Sequence, residues 1–283
     1  MRLDNGRESS NIEDRRGGGP RLAGRGSLGI GAVVLALVAM YFGVDPSVVL
    51  DLASGPGQSV QETSGPPPAD DKQAQFVSKV LADTEDTWSQ IFTASGSRYT
   101  DPKLVLYSGA TNTACGTGQA AMGPFYCPGD ARVYLDMSFF EEMQRRLNAP
   151  GDFARAYVIA HEIGHHVQNL LGTADKVNRQ QRRASQAEAN QLSVRMELQA
   201  DCYAGVWGYH ANRARQILEP GDVEAALNAA SAIGDDRLQK EAQGYVVPDA
   251  FTHGTSAQRV RWFKRGLETG NPGNCDTFSA ASL

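Results

Sequence analysis

Residues 151–169 read GDFARAYVIAHEIGHHVQN. Ile159, Ile163, Val167 and Leu170 recur at close to helical spacing, so one face of a helix in this stretch belongs in a core. The pattern predicts a helix opening at Asp152 as N-cap and stopping at Gly172. Inside it stands His161-Glu162-Ile163-Gly164-His165, an H-E-x-x-H motif. At about 3.6 residues per turn the two histidines share a face one turn apart, so both imidazoles can reach one metal ion. Glu162 projects beside them, where its carboxylate can take a proton from a metal-bound water. The flanking Val158, Ile159, Ile163, Gly164 and Val167 carry no charge, which suits a buried helix and not a solvated one.

Two histidines leave such a site one protein ligand short, because catalytic zinc usually has three plus a water. A final histidine in the pattern H-E-x-x-H-x-x-G-x-x-H is excluded, since its last two fixed positions fall on Gln168 and Leu171. Downstream, Glu197-Leu198-Gln199-Ala200-Asp201 places Glu197 and Asp201 on one face of a second helix. Glu197 is the candidate third ligand. Asp201 is the candidate acceptor for the far nitrogen of a ligand histidine, fixing its tautomer. The rival Glu188 has Leu192 four residues on and no such partner.

Working outward, residues 73–95 show a helical apolar face through Phe76, Val80, Leu81, Trp88 and Ile91. LVLY (104–107) and RVYL (132–135) read as short strands of a small sheet, joined by a loop rich in Gly, Thr and Cys. S-F-F-E at 138–141 opens a helix that ends near 148–150. Polar residues fill 173–191, followed by a long helix to about 212 and further helices over 221–232 and 256–267. The expected fold class is α+β, mostly helical, with a small sheet. Arg259, Arg261, Lys264 and Arg265 crowd the last helix and read as a solvated face.

The N-terminal part has a different character. Residues 1–27 carry six arginines and four acids, a net charge of +2, whereas the whole chain of 283 residues carries −5. That acidic balance argues against nucleic acid as a partner. Residues 28–44, LGIGAVVLALVAMYFGV, hold no charge and no proline, and as a helix would extend about 26 Å. The reading is a transmembrane signal anchor inserted in the lipid bilayer. The arginines before it hold the 1–27 tail in the cytoplasm and send the rest across. Residues 45–72, rich in Gly, Ser, Pro and Asp, read as a flexible linker, and 73–283 as the folded body. Cys115, Cys127, Cys202 and Cys275 all fall in that body. An even count in an oxidising compartment fits two disulfides, with Cys115–Cys127 favoured because a short loop separates them.

The chain resembles the bacterial neutral zinc metallopeptidases, a branch of the gluzincin type. The likeness covers about residues 71–279 and rests on TACG (113–116), GPFYCP (123–128), VYLD (133–136), the stretch quoted at the outset, ELQADCYAGVW (197–207) and FTHGTSAQRVRWFKRG (251–266). It implies a zincin-like catalytic domain holding one Zn2+ ion through His161, His165 and Glu197, with Glu162 as base. The 31 residues between His165 and Glu197 make a longer insert than in better-known gluzincins. Taken together with the anchor read from residues 28–44, the expected function is a membrane-anchored, extracytoplasmic zinc-dependent metalloendopeptidase acting on a peptide or protein substrate. His253, in F-T-H-G-T, is the candidate to stabilise the oxyanion of the tetrahedral intermediate. Tyr203 and Tyr209 read more readily as packing residues, His166 as structural and His210 as without a role. By zincin analogy the RVYL strand is expected to pair with an extended substrate. Two other functions fit the same residues: a zinc-stabilised, non-catalytic envelope scaffold, and a metal-dependent cell-wall amidase. Glu162 favours catalysis, because structural zinc needs no base.

Overall fold

The structure is a computed structural model, and it describes residues 1–3, 6–17, 64–119, 123–145, 147 and 149–283. The apolar run 28–44 and most of the 45–72 linker lie outside the described residues. Among the described residues, no helix is long and apolar enough to cross a membrane.

The fold is mostly helical α+β, as the periodicities require. Helix α1 (Lys72–Ala94) starts on Asp71, whose carboxylate accepts from the backbone of Gln73 and Ala74, and buries Val77, Val80, Leu81, Trp88 and Phe92. Strands β1 (Ile12–Asp14), β2 (Lys103–Tyr107), β5 (Phe125–Cys127) and β6 (Arg132–Asp136) form one sheet in the order β1-β2-β6-β5. β1, β2 and β6 are parallel, and β5 runs antiparallel to β6 with Tyr126 opposite Val133. β2 is apolar on both faces, as a strand covered on both sides must be. Leu104 and Leu106 join the helical core, while Val105 and Tyr107 pack with Cys127 and Tyr134 on the other face. The hairpin of β3 (Ala110–Thr113) and β4 (Gly116–Gln119) is tied to β5 by the Cys115–Cys127 disulfide.

Two expectations are corrected here. RVYL is not an edge: β6 is paired on both sides, and β5 is the terminal strand beyond it. Nor do residues 1–3 and 6–17 form a tail apart from the body. β1 pairs with β2, Leu3 and Ile12 enter the core, and the Met1 amine meets Glu219 and Asp222 at 2.8 and 3.0 Å. Two of the arginines in this segment have partners far along the chain. Arg7 reaches Glu85 at 2.7 Å and Arg16 reaches Asp71 at 2.7 Å.

The sheet backs a helical layer: α2 (Ser138–Arg145), α3 (Asp152–Leu170), α4 (Thr173–Gln181), α5 (Gln186–Arg215), α6 (Asp222–Ala232), α7 (Asp235–Gln243) and α8 (Ser256–Thr269). α3 begins one residue earlier than expected: Gly151 holds the cap position at φ 108°, and Asp152 lies in the first turn, where the helix dipole favours an acid. α5 opens at a capping box of Ser185 and Glu188, which explains why Glu188 is unavailable as a ligand. α8 packs so closely on α5 that a Cβ on Gly266 would overlap the Cys202 carbonyl. The Cys202–Cys275 disulfide ties the C-terminal segment to the same helix.

Candidate metal centre

Helix α3 supplies His161, Glu162 and His165, and α5 supplies Glu197 and Asp201. Gly164 brings the helices together: a Cβ at that position would lie 2.9 Å from the Ala200 carbonyl oxygen and 3.0 Å from its Cα. Only a residue without a side chain lets α5 approach near enough for Glu197 to reach both histidines. Glu197 Oε2 lies 3.1 Å from His161 Nε2, and Glu197 Oε1 lies 3.4 Å from His165 Nε2. One ligand atom from each of the three residues falls within 4.8 Å of the others. Ligand atoms arranged tetrahedrally around zinc at about 2.0–2.1 Å stand roughly 3.3 Å apart, so this donor set fits the ion with little rearrangement.

A second layer orients each ring. His161 Nδ1 donates to Asp201 Oδ1 at 2.9 Å, leaving Nε2 for the metal. Asp201 also accepts from the Tyr157 hydroxyl at 2.6 Å and from Arg259 Nε and Nη2 at 2.8 and 2.9 Å. His165 Nδ1 donates to Gln168 Oε1 at 2.9 Å, and the Gln168 amide is itself fixed on the Met196 carbonyl and Gln199. Asp201 therefore sits where the second helix was expected to put it. Arg259 does not lie on a solvated face; it is 2% exposed. Its signal was position: Trp262, Phe263 and Gly266, three, four and seven residues on, are buried beside it. Gln168, three residues after His165 on the same helix face, was missed for want of a motif.

The electrostatics follow from burial and this ring of partners. Burial opposes the charged form of His161, but Asp201 and Glu197 outweigh it and push its pKa up to about 10. His165 is raised as well, burial again opposing and Glu197 prevailing. Glu197 is held well below its usual range despite its burial, by the two imidazoles. Glu162 moves the other way: burial raises its carboxyl, against the pull of His161 and His165.

The cluster forms the floor of a cleft. On the His161 and Glu162 side a cavity of about 630 Å³ is walled by Phe125, Phe139, Val158 and Leu238 and also reached by His253. On the His165 side a cavity of about 250 Å³ is bounded by Tyr126, Val177, Gln181 and Met196. β5 contributes Phe125 to one and Tyr126 to the other. His253 is exposed, and its Nδ1 lies 3.2 Å from Asp235 Oδ1. Asp235 Oδ2 fixes the loop by accepting the backbone N–H groups of Thr252, His253 and Gly254. His166 faces elsewhere, between the Thr100 carbonyl and the Tyr126 hydroxyl, and burial lowers its pKa. Tyr203 is buried edge-on against Trp88, and His210 bonds the Gly270 carbonyl.

A family profile described as "Putative neutral zinc metallopeptidase" matches residues 1–278. The chain belongs to this family. It is 55% identical over 287 residues to "Uncharacterized protein YpfJ" of Escherichia coli K12, an alignment covering 98% of this chain and 99% of the relative. It is 41% identical over 262 residues to "Uncharacterized protein Rv2575" of Mycobacterium tuberculosis H37Rv, covering 87% of this chain and 86% of that one. No solved structure matches it. The family match takes in the N-terminal segment that carries β1, in keeping with that segment's place in the sheet.

Proposed function

We propose that the protein is a zinc-dependent metalloendopeptidase with a zincin-like catalytic domain. The observation that carries this reading is the convergence of His161, His165 and Glu197 on one point, with the carboxylate of Glu162 beside it in the wall of an open cleft. Zinc bound there supplies a water of lowered pKa and polarises the scissile carbonyl. Glu162 takes the proton from the attacking water and delivers it to the leaving amine; burial, by raising its pKa, brings it nearer the range needed for both tasks. His253, oriented by Asp235, donates to the oxyanion through the nitrogen that Asp235 does not hold. Cavities on both sides of the cluster let a chain continue in both directions, which supports internal cleavage. An extended substrate lies along β5, the terminal strand, whose residues flank both cavities.

The body works outside the cytoplasm in this proposal, supported by the two disulfides it carries. Attachment to a lipid bilayer is assigned to residues 28–44 on their composition.

The test is metal content and peptide hydrolysis measured on the purified full chain. Wild type should bind close to one zinc per chain, Glu197→Ala should lose it, and Glu162→Gln should keep the zinc while losing hydrolysis. Full hydrolysis by Glu162→Gln sinks the mechanism, and a zinc-loaded wild type that cuts no peptide in a broad library points to the scaffold function instead.

A further inference from the structure

The residues before the apolar run and those after it build one fold. β1 lies in parallel beside β2, with Ile12 opposite Leu104 and Asp14 opposite Leu106. The Leu104 amide donates to the Asn11 carbonyl at 2.9 Å, and the Arg15 amide to the Leu106 carbonyl at 2.8 Å. Glu85, on α1 and 3% exposed, has hydrogen-bond donors in Arg7, Ser9 and Asn11, all from the N-terminal segment. Without that segment a buried carboxylate loses these partners and β2 becomes an open edge. The departing and returning chain also meet. Asp14 and Gly65 exchange two backbone hydrogen bonds, at 2.7 and 3.3 Å, so the chain comes back where it left.

From this we infer that residues 1–17 and 64–283 lie on the same side of the membrane. A single crossing by residues 28–44 would put them on opposite sides and take β1 out of its sheet. The N-terminal segment is thus translocated together with the body, and residues 28–44 meet the bilayer without separating the two. It follows too that a fragment starting at residue 73 lacks a strand of its own sheet.

The experiment uses the full chain expressed in bacteria. Ser10→Cys and Ser282→Cys, both at exposed positions, are made separately and treated with a membrane-impermeant maleimide on spheroplasts before and after permeabilisation. The expected result is that both label before permeabilisation. Labelling of Ser282→Cys alone before permeabilisation overturns the inference. If both are shielded until permeabilisation, the two segments still share a side and it is the extracytoplasmic placement that fails. An independent readout is Ser9→Cys combined with Ser78→Cys, positions joined by backbone and side-chain hydrogen bonds of 3.3 and 3.1 Å. An intramolecular cross-link between them, seen as a mobility shift lost on reduction, is expected in membranes isolated under oxidising conditions. No cross-link in a chain that is otherwise folded and carries zinc counts against the inference.

Discussion

Asp201 and Arg259 form a buried ion pair directly behind His161 of the candidate metal group, with hydrogen bonds of 2.8 and 2.9 Å and exposures of 0% and 2%. Neither charge can be removed alone without cost. Arg259→Met leaves Asp201 as a buried carboxylate supported only by Tyr157 and His161, and should destabilise the fold by about 3–5 kcal/mol. Asp201→Asn keeps the shape but withdraws the charge that makes His161 a strong ligand, and should weaken zinc binding about 10–100-fold. Denaturant titration and chelator competition measure the two effects separately. Equal stability of wild type and Arg259→Met would remove the guanidinium from this account.

Gly164→Ala tests the helix crossing. The added methyl group meets backbone atoms of Ala200 at 2.9–3.0 Å, which cannot move aside as a flexible side chain would. The expected cost is about 1–3 kcal/mol. The more specific expectation is in the metal: forcing α3 and α5 apart moves Glu197 away from both histidines. Thermal unfolding with and without zinc should show a smaller zinc-dependent rise in Tm for the variant. An undiminished rise would mean that Glu197 does not depend on this contact.

How much of this was readable from residues alone depends on whether the signal was local. The α3 helix, the two histidines, Glu162 and the Glu197–Asp201 pair all follow from spacing within single helices, and the favoured Cys115–Cys127 pair from a short loop. β1 does not. Ile12-Glu13-Asp14 sits among charges, and its strand character comes from pairing with β2 some ninety residues on. The same holds for β5, read from sequence as part of a loop, and for RVYL, whose place inside the sheet depends on both neighbours. Arg259 was assigned by charge when its helix face should have decided. α7, polar over most of its length, has no apolar stripe to reveal it, yet it starts with the Asp235 that holds the His253 loop.

Zinc uptake should release protons. Burial disfavours a charged His161, but Asp201 and Glu197 raise its pKa to about 10, so at pH 7 the metal-free ring is protonated on the nitrogen the metal needs. His165 is shifted in the same direction. At least one proton should therefore appear in weakly buffered solution for each zinc bound at pH 7, followed with an indicator dye, and apparent affinity should rise with pH across the neutral range. Uptake with no proton release would mean that the imidazoles are already neutral.

His253 and Asp235 set the last expectation. The hydrogen bond that His253 donates to Asp235 raises its pKa above the ordinary 6.5, against the opposing effect of partial desolvation, with Glu197 adding to the rise and Arg259 subtracting from it. Asp235 is lowered from 3.8, its burial overcome by His253 and the loop amides. The pair's contribution to stability from His253 is full below pH 6.5 and fades as pH climbs through the raised value. The part from Asp235 is present above pH 3.8 and fades as pH falls through the lowered one. If His253 must be protonated to donate to the oxyanion, kcat/KM should drop on an alkaline limb lying above pH 6.5. Asp235→Asn keeps an acceptor for the loop amides but removes the charge, so the limb should move toward acid while zinc content stays unchanged. His253→Gln, which keeps a donor but cannot titrate, should lose that limb and lower kcat more than it raises KM. A limb that stays in place in both variants would show that His253 does not govern turnover.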